Sequence, residues 1–400
     1  MKDGKQKKAI ASNTLYTMGG MLVMNGVLQL VIYPLLYRNM GDKELGELLF
    51  IMGLVAIVCP SVGQALNTSR LVVRRNHGVT NGDYDWLLLI FGGLGSAVAL
   101  LISADSLENV GMGIGIFLLL MVTVFRYYGD VEYRLNLNYK RYFIYYLLIS
   151  VGYVAGYGAY RITGNWILIF LVGEAAAIAY VAATGQVFKG FFKKSSCFSV
   201  ACQRGFFLTL SYLLTNTTLN IDKLVLKIFM DEAAVTQYYV VSLVGKTLVL
   251  LIAPINTIII SYLTKRKELL NRSQFLKAAL AGGVVSFLFF LASQIGTPLF
   301  VWLFYRNLYD TVKGLVTVAN LAQILGLYSA FLFIIVLTFT EEKWQLWLHS
   351  AHFIILVIAS VVCTKSFGIR GFAWALFGAN AIRVAAVIIL GTIKAKKRKE

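Results

Sequence analysis

Apolar positions along the chain gather into twelve windows bounded by charged or turn residues, at 13–37, 46–66, 86–104, 109–127, 142–160, 165–185, 205–228, 237–262, 276–303, 313–338, 344–364 and 369–393. Each is close to the ~20 apolar residues an α-helix needs to cross the hydrocarbon core of a bilayer. Backbone polar groups find no water there, so the windows are predicted to be helices. A transmembrane β-barrel would alternate apolar and polar residues over short segments, and no window alternates. The pattern predicts an all-α polytopic membrane protein of about twelve transmembrane helices. A basic stretch divides the spans six and six, so the expected organisation is an N-terminal lobe (1–188), a cytoplasmic linker (189–204) and a C-terminal lobe (205–400).

Composition removes the soluble alternatives. The 400 residues are 58% hydrophobic, with a mean hydropathy of +0.72. Only 14% are charged, where a soluble domain has about a quarter. The net charge of +18 would suggest nucleic acid in a soluble chain, but its placement argues for topology. Of 37 Lys and Arg, 26 fall in the two termini and alternate connections, among them Arg126 and Arg134, while 8 fall on the opposite side. Positive charge marks the cytoplasmic side, so both termini are expected in the cytoplasm. The six tryptophans lie at or near span ends, as an interfacial belt requires. The opening MKDGKQKK resembles a signal peptide, but the apolar stretch from Asn13 to Tyr37 is too long and no small-residue cleavage site follows, so it reads as a retained first span.

Candidate chemistry is sparse outside the spans. The four cysteines show neither metal spacing nor a disulfide framework. His349 and His352 lack a third ligand. Gly245-Lys246-Thr247 imitates the end of a phosphate-binding loop, but it sits inside an apolar span. No cofactor, metal, nucleotide or nucleic acid is therefore expected. Gly111–Gly115 and Gly152–Gly156 are small-residue pairs that would let helices approach closely.

The informative residues are charges inside spans, each costing ~2.5–3.5 kcal/mol at the centre of a membrane helix. They are Glu174 in span six, Asp222 and Lys223 in span seven, Lys246 in span eight and Arg383 in span twelve. In span seven Tyr212, Asn216, Asn220, Lys223 and Lys227 recur at three- and four-residue steps, forming one polar stripe. Span one adds Asn25 and Gln29, span ten Asn320 and Gln323, and span twelve Asn380. One reading is interhelical glue, with Glu174 paired to Lys246 or Arg383. The other is a polar, net cationic cavity shared by several helices.

The segment 219–265, LNIDKLVLKIFMDEAAVTQYYVVSLVGKTLVLLIAPINTIIISYLTK, resembles spans seven and eight of the Wzx-type bacterial polysaccharide flippases. It has an Asp followed by a basic residue, a Tyr opening span eight and a Pro-containing cytoplasmic half. Residues 13–50, with the Gly41…Leu45-Gly46 spacing, resemble the first span and outer loop of that family, and 366–389 its last span. The family belongs to the multidrug/oligosaccharidyl-lipid/polysaccharide exporter superfamily, which also holds drug exporters and lipid II flippases. The resemblance implies two six-helix lobes around a central cavity that opens to each side in turn. It implies a transporter rather than an enzyme: a flippase carrying an undecaprenyl-diphosphate-linked oligosaccharide across the bacterial inner membrane for O-antigen, lipooligosaccharide or capsule synthesis. Its partners would be that glycan, membrane lipid, a polysaccharide polymerase and glycosyltransferases. Lys246, Lys223 and Arg383 would attract the diphosphate, and Asn216, Asn220, Tyr212, Asn25 and Gln29 would bond the headgroup. Glu174 and Asp222 would couple transport to a proton or sodium. The alternatives are an organic-cation exporter or a lipid II flippase. The chain lacks the two extra spans usual in lipid II flippases and a mid-span carboxylate in spans one to five, which favours the polysaccharide branch.

Overall fold

A computed structural model describes the backbone of residues 2–74, 77–264 and 271–395, with side chains except at 2–12, 14, 249–264, 342, 345 and 346. Every regular element in it is helical. α1 (Lys2–Gly26) runs through a widened turn at Val27–Ile32 into α2 (Tyr33–Cys59), and a second widened turn at Pro60–Gln64 leads into α3 (Ala65–Val73). Then follow α4 (Asn81–Ile102), α5 (Val110–Gly129), α6 (Val131–Leu135), α7 (Tyr139–Thr163), α8 (Ile167–Thr184) and α9 (Phe198–Phe229). The rest is α10 (Glu232–Thr264), α11 (Arg272–Phe304), α12 (Tyr309–Val312), α13 (Val316–Leu337) and α14 (Glu342–Lys394). Pro254 and, of the cations counted for topology, Lys2, Lys5, Lys7, Lys8, Arg75, Lys265, Arg266, Lys267, Lys396, Lys397, Arg398 and Lys399 lie outside the described residues and side chains.

Eight of these stretches are long and apolar enough to cross a membrane. Two of them, Leu15–Val73 with 59 residues and Trp347–Lys394 with 48, are each too long for one crossing. A glycine breaks each one: Gly41 at φ +83° and Gly368 at φ +60°. Side-chain-bearing residues rarely adopt such conformations, so these breaks need glycine. Each long stretch therefore supplies two spans. α9 and α10, of 32 and 33 residues, also exceed the length of one crossing. All twelve apolar windows thus fall on helices. The helices start earlier than the windows where a polar cap precedes the apolar run. At α4, for example, Asp83 accepts a 2.8 Å hydrogen bond from the backbone N–H of Thr80.

The chain forms two compact units, residues 1–39 with 51–220 and residues 40–50 with 221–400. In the first, α7 packs against α1 and α8, and α5 against α4 and α8. The α7–α8 contact depends on small residues. A Cβ at Gly152 would lie 2.5 Å from the Gly173 Cα, and one at Gly156 2.6 Å from the Ile169 carbonyl oxygen. The pair Gly111–Gly115 is less equal. Gly115 faces the Ile167 side chain, whereas Gly111 meets only the side chain of Asn109, the cap of its own helix.

In the second unit, the segment after the Gly41 break docks on the start of α10. A Cβ at Gly46 would fall 1.8 Å from the Glu232 carbonyl oxygen, and the Thr236 hydroxyl donates to the Asp42 carbonyl at 2.7 Å. The Gly41…Leu45-Gly46 spacing therefore has a physical reason: one glycine turns the backbone and the other allows close approach. A core of Phe275, Leu332, Phe333, Val336, Val387 and Leu390 ties α11, α13 and α14 together.

Helix α7 offers an internally controlled test. Gly152→Val forces a side chain into the α8 backbone and should destabilise the protein by about 1–3 kcal/mol. Gly158→Ala on the same helix meets nothing within 4 Å and should be neutral or stabilising by up to about 1 kcal/mol. Unfolding in detergent micelles, monitored by circular dichroism, measures both.

Candidate functional site

The second unit holds the ion pair that sequence spacing left open. The Lys246 ammonium donates to the Asp222 Oδ2 at 2.6 Å, joining α10 to α9. The Asp222 side chain is 5% exposed and that of Lys246 27%, so the carboxylate is sealed and the lysine side chain partly exposed. Lys223 follows Asp222 on α9 and is half-buried and partnered. One turn further on, Lys227 pairs with Glu232, so it is already neutralised. Gly245 brings α13 close beside Lys246, since a Cβ there would sit 2.9 Å from the Gln323 Cβ.

Arg383 belongs to a different group. Its guanidinium stands over the Phe333 ring at 5.9 Å, and its Nε is buried without a hydrogen bond. A cation over an aromatic face is attracted by the ring quadrupole, which offsets part of the missing bond. Asn380 on the same helix donates to the Ala322 carbonyl at 2.9 Å and meets His352 Nε2 at 3.1 Å. Asn320 is held by Thr297 through bonds of 3.0 and 3.2 Å. These two asparagines act as pegs between helices. No cluster of three metal-ligating side chains occurs among the described residues.

The stripe on α9 from 212 to 220 lies in the first unit. The Tyr212 hydroxyl meets Thr68 Oγ1 at 3.3 Å, Asn216 donates to Ser61 Oγ at 3.0 Å, and Asn220 donates to the Asn216 carbonyl at 3.0 Å. Ser61 lies in the widened turn that Pro60 opens, since proline removes a backbone donor and crowds the preceding turn. Asn25 bonds only its own helix, to the Met21 carbonyl at 2.9 Å. Gln29 occupies the other widened turn and is half-buried and partnered.

Glu174 pairs with neither Lys246 nor Arg383. Its partner is Arg126, which had been counted among the cytoplasmic loop charges and instead lies buried on α5. Arg126 Nε and Nη2 both donate to the carboxylate, the second at 3.1 Å, in a bidentate fork. The Tyr153 hydroxyl adds a 2.7 Å bond to Glu174, and the Tyr145 hydroxyl binds the Arg126 carbonyl at 2.6 Å. Around this pair, Tyr146 donates to Asp130 at 3.0 Å, Asn67 also binds Asp130, and Arg134 reaches Asn67 at 2.9 Å. The clue in the sequence was a hydroxyl stripe: Tyr142, Tyr145, Tyr146 and Tyr153 recur at helical spacing in an otherwise apolar span.

No family model matches the chain, and no curated protein matches it. Solved structures do. A lipid II flippase, MurJ, in an inward closed conformation superposes with a TM-score of 0.69 at 12% identity, covering 95% of this chain and 86% of that one. A multidrug resistance MATE family transporter of the MOP superfamily matches in its inward-facing conformation with a TM-score of 0.63 at 14% identity, over 95% of this chain and 94% of that one. Its outward-facing conformation matches at 0.61 and 16%, over 97% and 95%. The chain is thus a multi-pass integral membrane protein with the fold of MOP-superfamily transporters.

Removing one partner of a fully buried ion pair leaves an uncompensated charge and costs ~3–5 kcal/mol. Arg126→Ala or Glu174→Ala alone should lower unfolding stability in detergent by about that much. The double substitution Arg126→Met with Glu174→Leu should cost clearly less than either single change, because no buried charge is left unpaired.

Proposed function

We propose that this chain is a flippase that moves an undecaprenyl-diphosphate-linked oligosaccharide from the cytoplasmic to the outer face of the bacterial inner membrane, with both termini cytoplasmic. Residues 1–188 and 205–400 serve as the lobes of an alternating-access cycle, joined by 189–204. The Lys246–Asp222 pair is the observation that carries this reading. A prenyl tail stays in lipid during flipping, so the barrier comes from sugars and diphosphate. A partly exposed lysine held by a sealed carboxylate suits that task. A diphosphate can compete for Lys246 as the stronger anion, with Lys223 adjacent and Arg383 as a further cationic group.

The exchange also supplies a coupling step. When Lys246 turns to phosphate, Asp222 is left without its counter-ion and serves as the site that couples transport to a proton or sodium. Return of Lys246 after the substrate leaves expels that ion. Glu174, held by Arg126 and Tyr153, is the second coupling candidate and requires that network to open. Tyr212, Asn216, Asn220, Asn25 and Gln29 bond the headgroup. The glycosyltransferases that build the lipid-linked unit and the polymerase that consumes it are the protein partners this reading implies.

Per membrane-inserted molecule, Lys246→Ala and Arg383→Ala should each lower glycan delivery to the outer face about tenfold or more, as loss of a charge-assisted bond to phosphate implies. Outer-face glycan labelling in a deletion strain carrying each variant measures this. Full delivery by both variants rules out the assignment. An organic-cation exporter would instead lose dye efflux in the same strains.

A further inference from the structure

The first unit carries a second binding feature, apart from the residues assigned to transport. α5, α8 and the segment after α8 form a groove of about 430 Å³, lined by Met121, Phe125, Ile178, Ala182, Phe191 and Lys189. That volume is within the usual range for small-ligand sites, ~300–1,000 Å³. Lys189 is the one charged side chain in the lining.

The segment after α8 is bonded to the start of α4. Asn81 donates to the carbonyls of Gln186 and Lys189, both at 2.7 Å, and Thr80 donates to the Lys193 carbonyl at 2.7 Å. The Ser195 hydroxyl and N–H both bind Asp83, each at 2.7 Å. The Trp86 indole donates to the Phe192 carbonyl at 3.3 Å, and the Lys194 ammonium lies 4.8 Å from the Trp86 ring. Of the carboxylates nearby, Asp83 is held by Ser195 and Thr80, Glu132 by the Gln186 N–H at 3.0 Å and by Asn136, and Asp85 is buried at 1% exposure. Among the described residues, no carboxylate forms an ion pair with Lys189, Lys193 or Lys194.

We propose that this groove binds one anionic phospholipid, its acyl chain along Met121, Phe125 and Ile178 and its phosphate at Lys189, with Lys193 and Lys194 supplying the surrounding positive field. Two features select that occupant. The groove is almost wholly apolar, which suits a chain and excludes a sugar headgroup. Lys189 lines it, and four to five residues further on Lys193 and Lys194 follow, Lys194 against Trp86, a set of cations with a tryptophan of the kind that reads a lipid phosphate at headgroup depth. The bound lipid would hold the linker against the bilayer through Lys189, whose backbone carbonyl Asn81 already holds. This site is independent of the transported substrate.

The test is native mass spectrometry of the purified full-length chain in detergent, titrated with phosphatidylglycerol or phosphatidylethanolamine of matched acyl chains. One phosphatidylglycerol should bind in preference to phosphatidylethanolamine. Lys189→Ala should weaken it about fivefold, as expected for one basic residue near an anionic headgroup, and Lys189→Arg should restore it. Ala182→Trp, which fills the groove from an exposed position, should weaken it at least as much. If that variant does not elute as a monodisperse species, Ala182→Leu replaces it. Equal binding of the two lipids, or wild-type occupancy in either the Lys189 or the Ala182 variant, overturns the proposal.

Discussion

A charge inside a membrane helix has no water to turn to, so its partner must come from the protein itself. That constraint accounts for more of this molecule than any single contact. It puts Arg126 and Glu174 into a bidentate pair closed off by Tyr153, and it sets Asp222 against Lys246. It also bears on Arg383, whose guanidinium stands over the Phe333 ring and which has no carboxylate partner among the described residues. The two ion pairs differ in one respect that matters. Both partners of Arg126–Glu174 are sealed at 4% exposure, while the Lys246 side chain is 27% exposed. A sealed pair organises a helix bundle. A pair with one partly exposed member can exchange partners, and exchange is what transport of an anion requires.

Much of the fold was legible because lipid imposes a simple rule on composition. A run of ~20 apolar residues has few structural options, so the windows and the helices coincide across the chain. The breaks at Gly41 and Gly368 fall between apolar windows, but the close approach of Gly46 to Glu232 was not legible, since it joins segments far apart in sequence. The site was harder for the same reason. Glu174 stood out as a buried carboxylate, yet its partner was hidden because Arg126 lies at the end of its apolar window, where topology counting places cations outside. The tyrosines of α7 held the missing information. Four hydroxyls at helical spacing in an apolar span have to face polar partners, and theirs are Glu174, Asp130, the Arg126 backbone and one another.

The polar positions of the second unit separate under the same reasoning. Asn320 and Asn380 are fully used in bonds between helices, so their role is packing. Asp222, Lys223 and Lys246 bring two lysines and one carboxylate together. An exporter of organic cations would gain nothing from two lysines there, whereas a carrier of a diphosphate would. The fold is common to multidrug transporters and to a lipid II flippase, so it does not choose between these substrates. The two lysines beside Asp222 supply the preference.

The most direct measurement is reconstitution of the purified chain into liposomes holding a labelled undecaprenyl-diphosphate oligosaccharide, with the glycan reaching the opposite leaflet read by an impermeant glycosidase. The account predicts protein-dependent translocation that free inorganic diphosphate inhibits and an organic cation does not. Absence of glycan translocation, together with exchange of an organic cation by the same liposomes, would contradict it.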